Sequence, residues 1–426
     1  YNCLYNCTND YIGVITDGGH GIITDPQFIN EVNYELKRSS PCVGTGNPAT
    51  SNTIAPLPNN GVINMGRYGD TVYAVSGLIV HVDVNMGNDA NSGGSGDPYI
   101  TIAKALTIPN ESDTFLIKLA TGIYTEHTLA LKSKVNIYGG YSADGAWTRD
   151  IWMYPTNLRP SGSGNHIFTW TSKTTIGLDG VIVDPATTGG SVIRIALQAA
   201  AMGSNVLTNC RVKNMDTVVY NDLGSASGDY TLYNNIFESL VSGAISLDNL
   251  NVDIDFFNNT LYDMYWGVSI GNGFATYDIQ NNIFNGVDYC IVNGTITGIS
   301  DYNDFYIFTS IGTGVVGGGD LQIDPDFMSE STSNFELLST SGLRGVGNAA
   351  VSPALDLKGR TRVADDIGAL EYQAFTSGFK NTVPTNGATA YSALWAYNKA
   401  LLRHEFFING YMIGYMDDTG VHDVAN

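Results

Sequence analysis

Four aspartates, Asp229, Asp253, Asp255 and Asp278, stand at fixed offsets from a recurring asparagine. The first two lie five residues before it and the last two lie three before it. With a side-chain period of two, all four point to one side of their strands. If those strands are neighbours, like charges stack at ~5 Å and residues two apart along a strand stand ~7 Å apart. Carboxylates so spaced suit glycoside hydrolysis, where one acid protonates and the other attacks or activates water. Stacked acids should also include at least one with a raised pKa. The same cluster suits calcium, and a solvated acidic face is the plain alternative. Tyr233 and Phe257 follow in the adjacent outward column and offer flat rings to a sugar.

Asp83, Asn85, Gly87 and Asp89 alternate as in a calcium loop but lack the EF-hand glycine and terminal glutamate spacing, so a turn-rich loop is the preferred reading and a calcium site the weaker one. The only cations between 178 and 300 are Arg194, Arg211 and Lys213; Lys213 and Glu238 share a column, where an exposed ion pair is expected.

The elements that position these residues follow from repetition. Thr208-Asn209-Cys210-Arg211-Val212, Tyr233-Asn234-Asn235-Ile236-Phe237, Phe257-Asn258-Asn259-Thr260-Leu261 and Gln280-Asn281-Asn282-Ile283-Phe284 align, and their first asparagines are 25, 24 and 23 residues apart. Leu207, Leu232, Phe256 and Ile279, two before that asparagine, and Val212, Phe237, Leu261 and Phe284, three after it, are all apolar. This period fits one coil of a right-handed parallel β-helix with three short strands, whose apolar face is buried only by stacking. Asn209, Asn234, Asn258 and Asn281 are expected to take the left-handed turn and form a ladder of side-chain amides.

A longer repeat joins the ends. Tyr1-Asn2-Cys3 answers Tyr302-Asn303-Asp304, Asp25-Pro26 answers Asp324-Pro325, Gly44-Thr45-Gly46-Asn47 answers Gly345-Val346-Gly347-Asn348, and Met65-Gly66 answers Ile367-Gly368. Residues 1–73 read as the closing segment of one β-helix module, repeated at 302–373. Residues 74–373 read as the β-helix domain, and 374–426 as a linker, a helix over Ser392 to His404, and a hairpin turning at Asn409-Gly410. The chain has no initiator Met or leader at its start, and a processed or excerpted portion of a longer protein is expected.

Charged residues make up only 14% against 43% hydrophobic, which favours an all-β protein with uncharged turns over a disordered one. A net charge of −21 argues against nucleic acid, and no apolar run reaches the ~20 residues of a membrane-spanning helix. Five scattered cysteines (3, 7, 42, 210, 290) lack zinc spacing.

Val82-Asp83-Val84-Asn85-Met86-Gly87-Asn88-Asp89, Asp97-Pro98-Tyr99-Ile100-Thr101-Ile102-Ala103-Lys104-Ala105-Leu106, Thr121-Gly122-Ile123-Tyr124 and Ile137-Tyr138-Gly139-Gly140-Tyr141 resemble the opening of pectate-lyase-like parallel β-helix proteins. Ser352-Pro353-Ala354-Leu355-Asp356 and Asp366-Ile367-Gly368-Ala369-Leu370 resemble the closing motifs of large bacterial secreted and surface proteins of that superfamily. The resemblance implies a helix near Thr101 to Leu106 capping the core, and an extracellular or cell-surface location, a virion surface included. The superfamily spans lyases, hydrolases, tailspikes, adhesins and scaffolds, so fold alone does not fix activity. Gly19-His20-Gly21 matches the hydrolase motif but lacks paired aspartates beside it.

No complete catalytic set emerges. The leading expectation is a structural or adhesive surface protein, a subunit of a filament, layer or tandem array, self-associating through its N-terminal segment and residues 392–416. The alternative is a glycan-binding or glycan-degrading β-helix protein. Calcium is the one cofactor the carboxylates would suit.

Overall fold

The computed structural model describes every residue except 7–18, 30–33, 51–52, 56–60, 72–73, 77, 111, 161–165, 171–174, 186–189, 196–203, 222–226, 248–250, 271–275, 294–296, 313–315, 373–392, 399–402, 409–410, 418–419 and 424–426. The chain divides into two units: residues 1–326 with 340–371, and residues 327–339 with 372–426.

The first unit is a right-handed parallel β-helix. One sheet has nine parallel strands: Ile79–Val82, Phe115–Ala120, Val135–Tyr141, Ile176–Asp179, Ser204–Thr208, Ser227–Tyr233, Asn251–Phe257, Thr276–Gln280 and Thr297–Asp301. Ile79–Val82 pairs with the next strand of the chain, Phe115–Ala120; every later pairing in this sheet joins strands one coil apart that are not neighbours in sequence. The other two faces merge into a 12-stranded sheet, because Ile236–Leu247, Thr260–Ile270 and Ile283–Asn293 run from one face to the next without a break. Left-handed backbone at Ser239, Asp263 and Gly286 marks where those strands bend.

The expected inward columns are register neighbours. Leu207, Leu232, Phe256 and Ile279 pair in sequence, as do Val212, Phe237, Leu261 and Phe284, and all eight are buried. Each such side chain contributes ~1.5–3 kcal/mol on burial, and one continuous core joins them from Val80 to Ile311.

The asparagine corner differs from the expectation in one respect. Asn209, Asn234, Asn258 and Asn281 do take left-handed φ values, 52°, 56°, 52° and 61°. Their amides join only in pairs, Asn234 to Asn209 and Asn281 to Asn258. The unbroken ladder lies one residue later, on Asn235, Asn259, Asn282 and Asn303, all wholly buried. There each Nδ2 donates to the next Oδ1 at 2.9–3.1 Å, and the backbone N–H beside it donates to the same oxygen. The reason is geometric: the left-handed residue turns its own side chain outward and swings the following one into the core, where an amide must be fully paired. Cys210 holds the ladder position in the preceding coil, its backbone N–H donating to Asn235 Oδ1 at 2.9 Å.

Residues 340–371 lie along this corner. Asn348 N donates to Asn281 Oδ1 at 2.6 Å, Gly368 N to Asn281 O at 2.8 Å, and Ala369 N to Thr260 Oγ1 at 3.1 Å. Asn234 Nδ2 donates to Leu355 O at 2.7 Å, and Arg362 Nη2 returns a bond to Asn234 Oδ1 at 2.9 Å.

A single α-helix, Ile102–Leu106, is present among the described residues where a capping helix was expected; its Ile102, Ala105 and Leu106 join the core. In the second unit, Phe327–Ser329 pairs antiparallel with Asn334–Leu337. Strands Ala393–Asn398, Arg403–Ile408, Tyr411–Asp417 and Gly420–Asp423 form an antiparallel sheet. This corrects the predicted helix over Ser392 to His404: Ala393–Asn398 is a strand. Its Trp395 and Tyr397 have strand propensity, and the predicted hairpin supplies a partner along its whole length. Leu401, Leu402 and the predicted linker lie outside the described residues. No helix among the described residues is long and apolar enough to cross a membrane.

Candidate functional site

The outward face of the nine-stranded sheet carries three parallel columns of side chains. In the first, Asp229 and Asp253 are register partners, followed by Thr276. In the second, Thr231, Asp255 and Asp278 follow one another. The third runs through Tyr138, Asp179, Thr208, Tyr233, Phe257 and Gln280. The coil register therefore brings together all four aspartates, with Tyr233 and Phe257 beside them.

Asp229, Asp253 and Asp255 are exposed and Asp278 is half-buried. Burial, then the charges of Asp278, Asp253 and Asp229, hold the Asp255 carboxyl above the ordinary carboxylate range, against a hydroxyl bond from Thr231. Thr276 Oγ1 donates to Asp253 Oδ1, and Gln280 Nε2 donates to Asp278 Oδ1 at 2.5 Å. Among the described residues, no three His, Cys, Asp or Glu side chains converge closely enough to hold a metal ion.

Farther along the same face lies a group that sequence reasoning missed. Arg149, on the loop after strand Val135–Tyr141, pairs with Asp179 at 2.7 Å and lies over the rings of Tyr138 and Tyr141, 5.0 and 5.8 Å from their centroids. Lys118 Nζ sits 5.1 Å from the Tyr141 centroid; burial, then the charge of Arg149, lowers its pKa. His81 is the register partner of Lys118. Burial, then Lys118, pushes the imidazole down to about 3, so it is neutral at physiological pH, packed edge-on against Trp147 at 4.5 Å. His81, Lys118, Asp144 and Trp147 line a cleft of about 600 Å³. The signal available was the strand alternation His81, Lys118, Tyr138, which shares the column of Tyr233, but the coils before residue 178 carry no asparagine to fix their register.

The remaining sequence candidates have other work. Asp83 is buried, and its Oδ1 accepts the backbone N–H groups of Asn85 and Met86 at 2.9 and 3.1 Å, an Asx turn. Asn85 Nδ2 donates to Thr121 O at 3.1 Å. Asp89 accepts Ile100 N, Thr101 N and the Thr101 hydroxyl, fixing the residue that caps helix Ile102–Leu106. All three side chains bond the backbone, and Asp89 takes the Thr101 hydroxyl as well. Lys213 and Glu238 are register partners, yet the close ion pairs run from Arg211 to Glu238 at 3.0 Å and from Lys213 to Asp184 at 3.3 Å. The His20 ring stacks on Tyr1 at 4.4 Å. Cys3, Cys42, Cys210 and Cys290 are free thiols, and Cys7 lies outside the described residues.

Three-faced coils, an inward amide ladder and an outward face bearing columns of polar and aromatic side chains define a parallel β-helix protein. Residues 85–307 match the family described as "Protein of unknown function (DUF1565)", and with more than half of its length matched, the chain belongs to that family. Among solved structures it is similar to "Crystal structure of pectate lyase Pel9A", at 14% identity over 69% of this chain and 96% of that one, with a TM-score of 0.40. No curated protein matches the sequence.

Proposed function

We propose that the protein is an extracellular adhesive β-helix module that holds a polysaccharide along the outward face of its nine-stranded sheet. The observation that carries this reading is the set of partly exposed side chains Tyr138, Asp179, Tyr233 and Phe257 in one column, beside the aspartate columns. Rings and carboxylates set at the strand spacing of ~4.8 Å and its multiples suit an extended chain of sugars, while Thr208 and Gln280 of the same column are buried. The rings take apolar sugar faces and the polar groups take hydroxyls. The test is binding of the full chain to a polysaccharide panel, with calcium and with chelator. Tyr233→Ala with Phe257→Ala should weaken binding at least tenfold; unchanged binding sinks the reading. Tight binding only with calcium would assign the aspartates to a bridging cation.

A second reading, cleavage of that polysaccharide, is favoured by one observation: the raised pKa of Asp255 among three other carboxylates, as a general acid requires. Product release that Asp255→Asn abolishes would establish it, and binding without release would exclude it for the panel used.

A further inference from the structure

The described residues of 1–71 reproduce a set of the hydrogen bonds of the closing segment after Asp301. Leu4 N donates to Ile22 O and Ile22 N to Asn2 O, as Phe305 N donates to Leu321 O and Leu321 N to Asn303 O. Ser40 Oγ donates to Pro26 O at 2.5 Å and Ser341 Oγ to Pro325 O at 2.7 Å. Gly44 N donates to Asn64 Oδ1 at 2.7 Å and Gly345 N to Asp366 Oδ1 at 2.8 Å. Gly46 N takes Ile63 O and Gly347 N takes Asp365 O, both at 2.8 Å. Gly66 and Gly368 share a left-handed backbone, with φ of 107° and 100°.

The two copies differ in what covers them. In the second, the coils fill one side: Asp304 pairs with Ile283, Asp304 N donates to Asn282 O at 2.8 Å, and Asn348 and Gly368 bond Asn281. A Cβ on Gly368 would stand 2.6 Å from Ile283 and 3.0 Å from Thr260. In the first copy, a Cβ on Gly66 would meet nothing within 4 Å. There the same surface opens on a cleft of about 850 Å³ lined by Asn2, Cys3, Gly46, Asn47 and Gly66, the counterparts of Asn303, Asp304, Gly347, Asn348 and Gly368. Asp304 is wholly buried, whereas Cys3 is partly exposed.

We infer that residues 1–71 are the closing segment of another parallel β-helix of this repeat type, and that the cleft receives its last coils. The receiving surface is shaped for an asparagine corner like that of Asn258 and Asn281, and Asn2 would continue that partner's buried amide ladder as Asn303 continues this one. A second copy of the chain does not supply this corner, because its own Asn258 and Asn281 are already bonded by Asp366, Gly368 and Asn348. The inference is independent of the polysaccharide reading.

The test places residues 1–301 ahead of the full chain, so that an added Asp301 precedes Tyr1 as the native one precedes Tyr302. Cys7→Ser in both copies and Cys3→Ser in the added copy leave the native Cys3 as the reporter; Cys42, Cys210 and Cys290 are buried. In reduced, folded protein, iodoacetamide should alkylate Cys3 at least tenfold more slowly than in the parent chain carrying Cys7→Ser. Unchanged alkylation overturns the inference, and so do added coils that hydrogen exchange shows unfolded ahead of an intact closing segment. Protection that appears in the parent chain only as its concentration rises points to a second copy and overturns it as well.

Discussion

Replacing Asn259 with Ala tests whether the buried amide ladder, rather than the left-handed asparagines beside it, holds the corner. Asn259 Oδ1 accepts Asn235 N and Nδ2 at 3.0 and 2.9 Å, and its own Nδ2 donates to Leu232 O and Asn282 Oδ1 at 2.9 and 3.1 Å. Four bonds at a net ~1 kcal/mol each make ~4 kcal/mol, and the stranded partners push the figure upward. Asn258→Gly is the matched control, since Gly keeps the φ of 52° without strain. It removes only long bonds, to Asp366 O at 3.2 Å, to Gly368 O at 3.4 Å and from Asn281 Nδ2 at 3.3 Å. That should cost ~1–2 kcal/mol. Guanidinium unfolding of both variants and the parent measures the difference, provided the slope with denaturant is unchanged. The reasoning fails if Asn259→Ala costs no more than Asn258→Gly, or if exchange of the Asn235 amide is no faster.

Burial, with the charge of Asp324 adding to it against a bond from Ile323 N, pushes Asp304 up to about 7. Its Oδ2 has no hydrogen-bond partner among the described residues. Because the folded value lies above the unfolded one near 4, its contribution to stability is complete below pH 4 and is lost as pH rises through 7, about 4 kcal/mol in all. Asp304→Asn should therefore match the parent in urea midpoint at pH 4 and exceed it at pH 8; a gap that does not change with pH contradicts this. Arg362 and Glu371 pair at 3.6 Å with side chains 1% exposed, so Arg362→Ala should cost ~3–5 kcal/mol in chemical unfolding. Asp278→Asn should lower the titration midpoint of Asp255 without restoring the ordinary carboxylate value, because burial is the larger cause; carboxyl NMR titration reads both.

The β-helix was legible because an asparagine every 23–25 residues fixes register, and register fixes which residues stack. Asp229 over Asp253 and Asp255 over Asp278 followed from counting alone. Counting did not reveal which asparagine turns inward, since that depends on backbone φ rather than on identity. The cationic and aromatic group at Lys118, Tyr141 and Arg149 escaped for another reason: Arg149 reaches Asp179 from a loop 30 residues earlier, and no periodicity carries a loop's destination. Nor could apolar content distinguish helix from strand at Ala393–Asn398, where pairing with Arg403–Ile408 decides.

The nine-stranded sheet has its inter-strand hydrogen bonds along the coil axis, with neighbouring strands ~4.8 Å apart. Tension applied along that axis reaches those bonds one coil at a time, as in a zipper, while force across it loads many strands together in shear. A peeled coil of about 24 residues pays out roughly 80 Å of slack, more than fifteen times the height it occupied when wound. A surface-tethered molecule of this build would yield to axial pulling in even, coil-sized steps, lengthening while its remaining turns keep hold of whatever they bind.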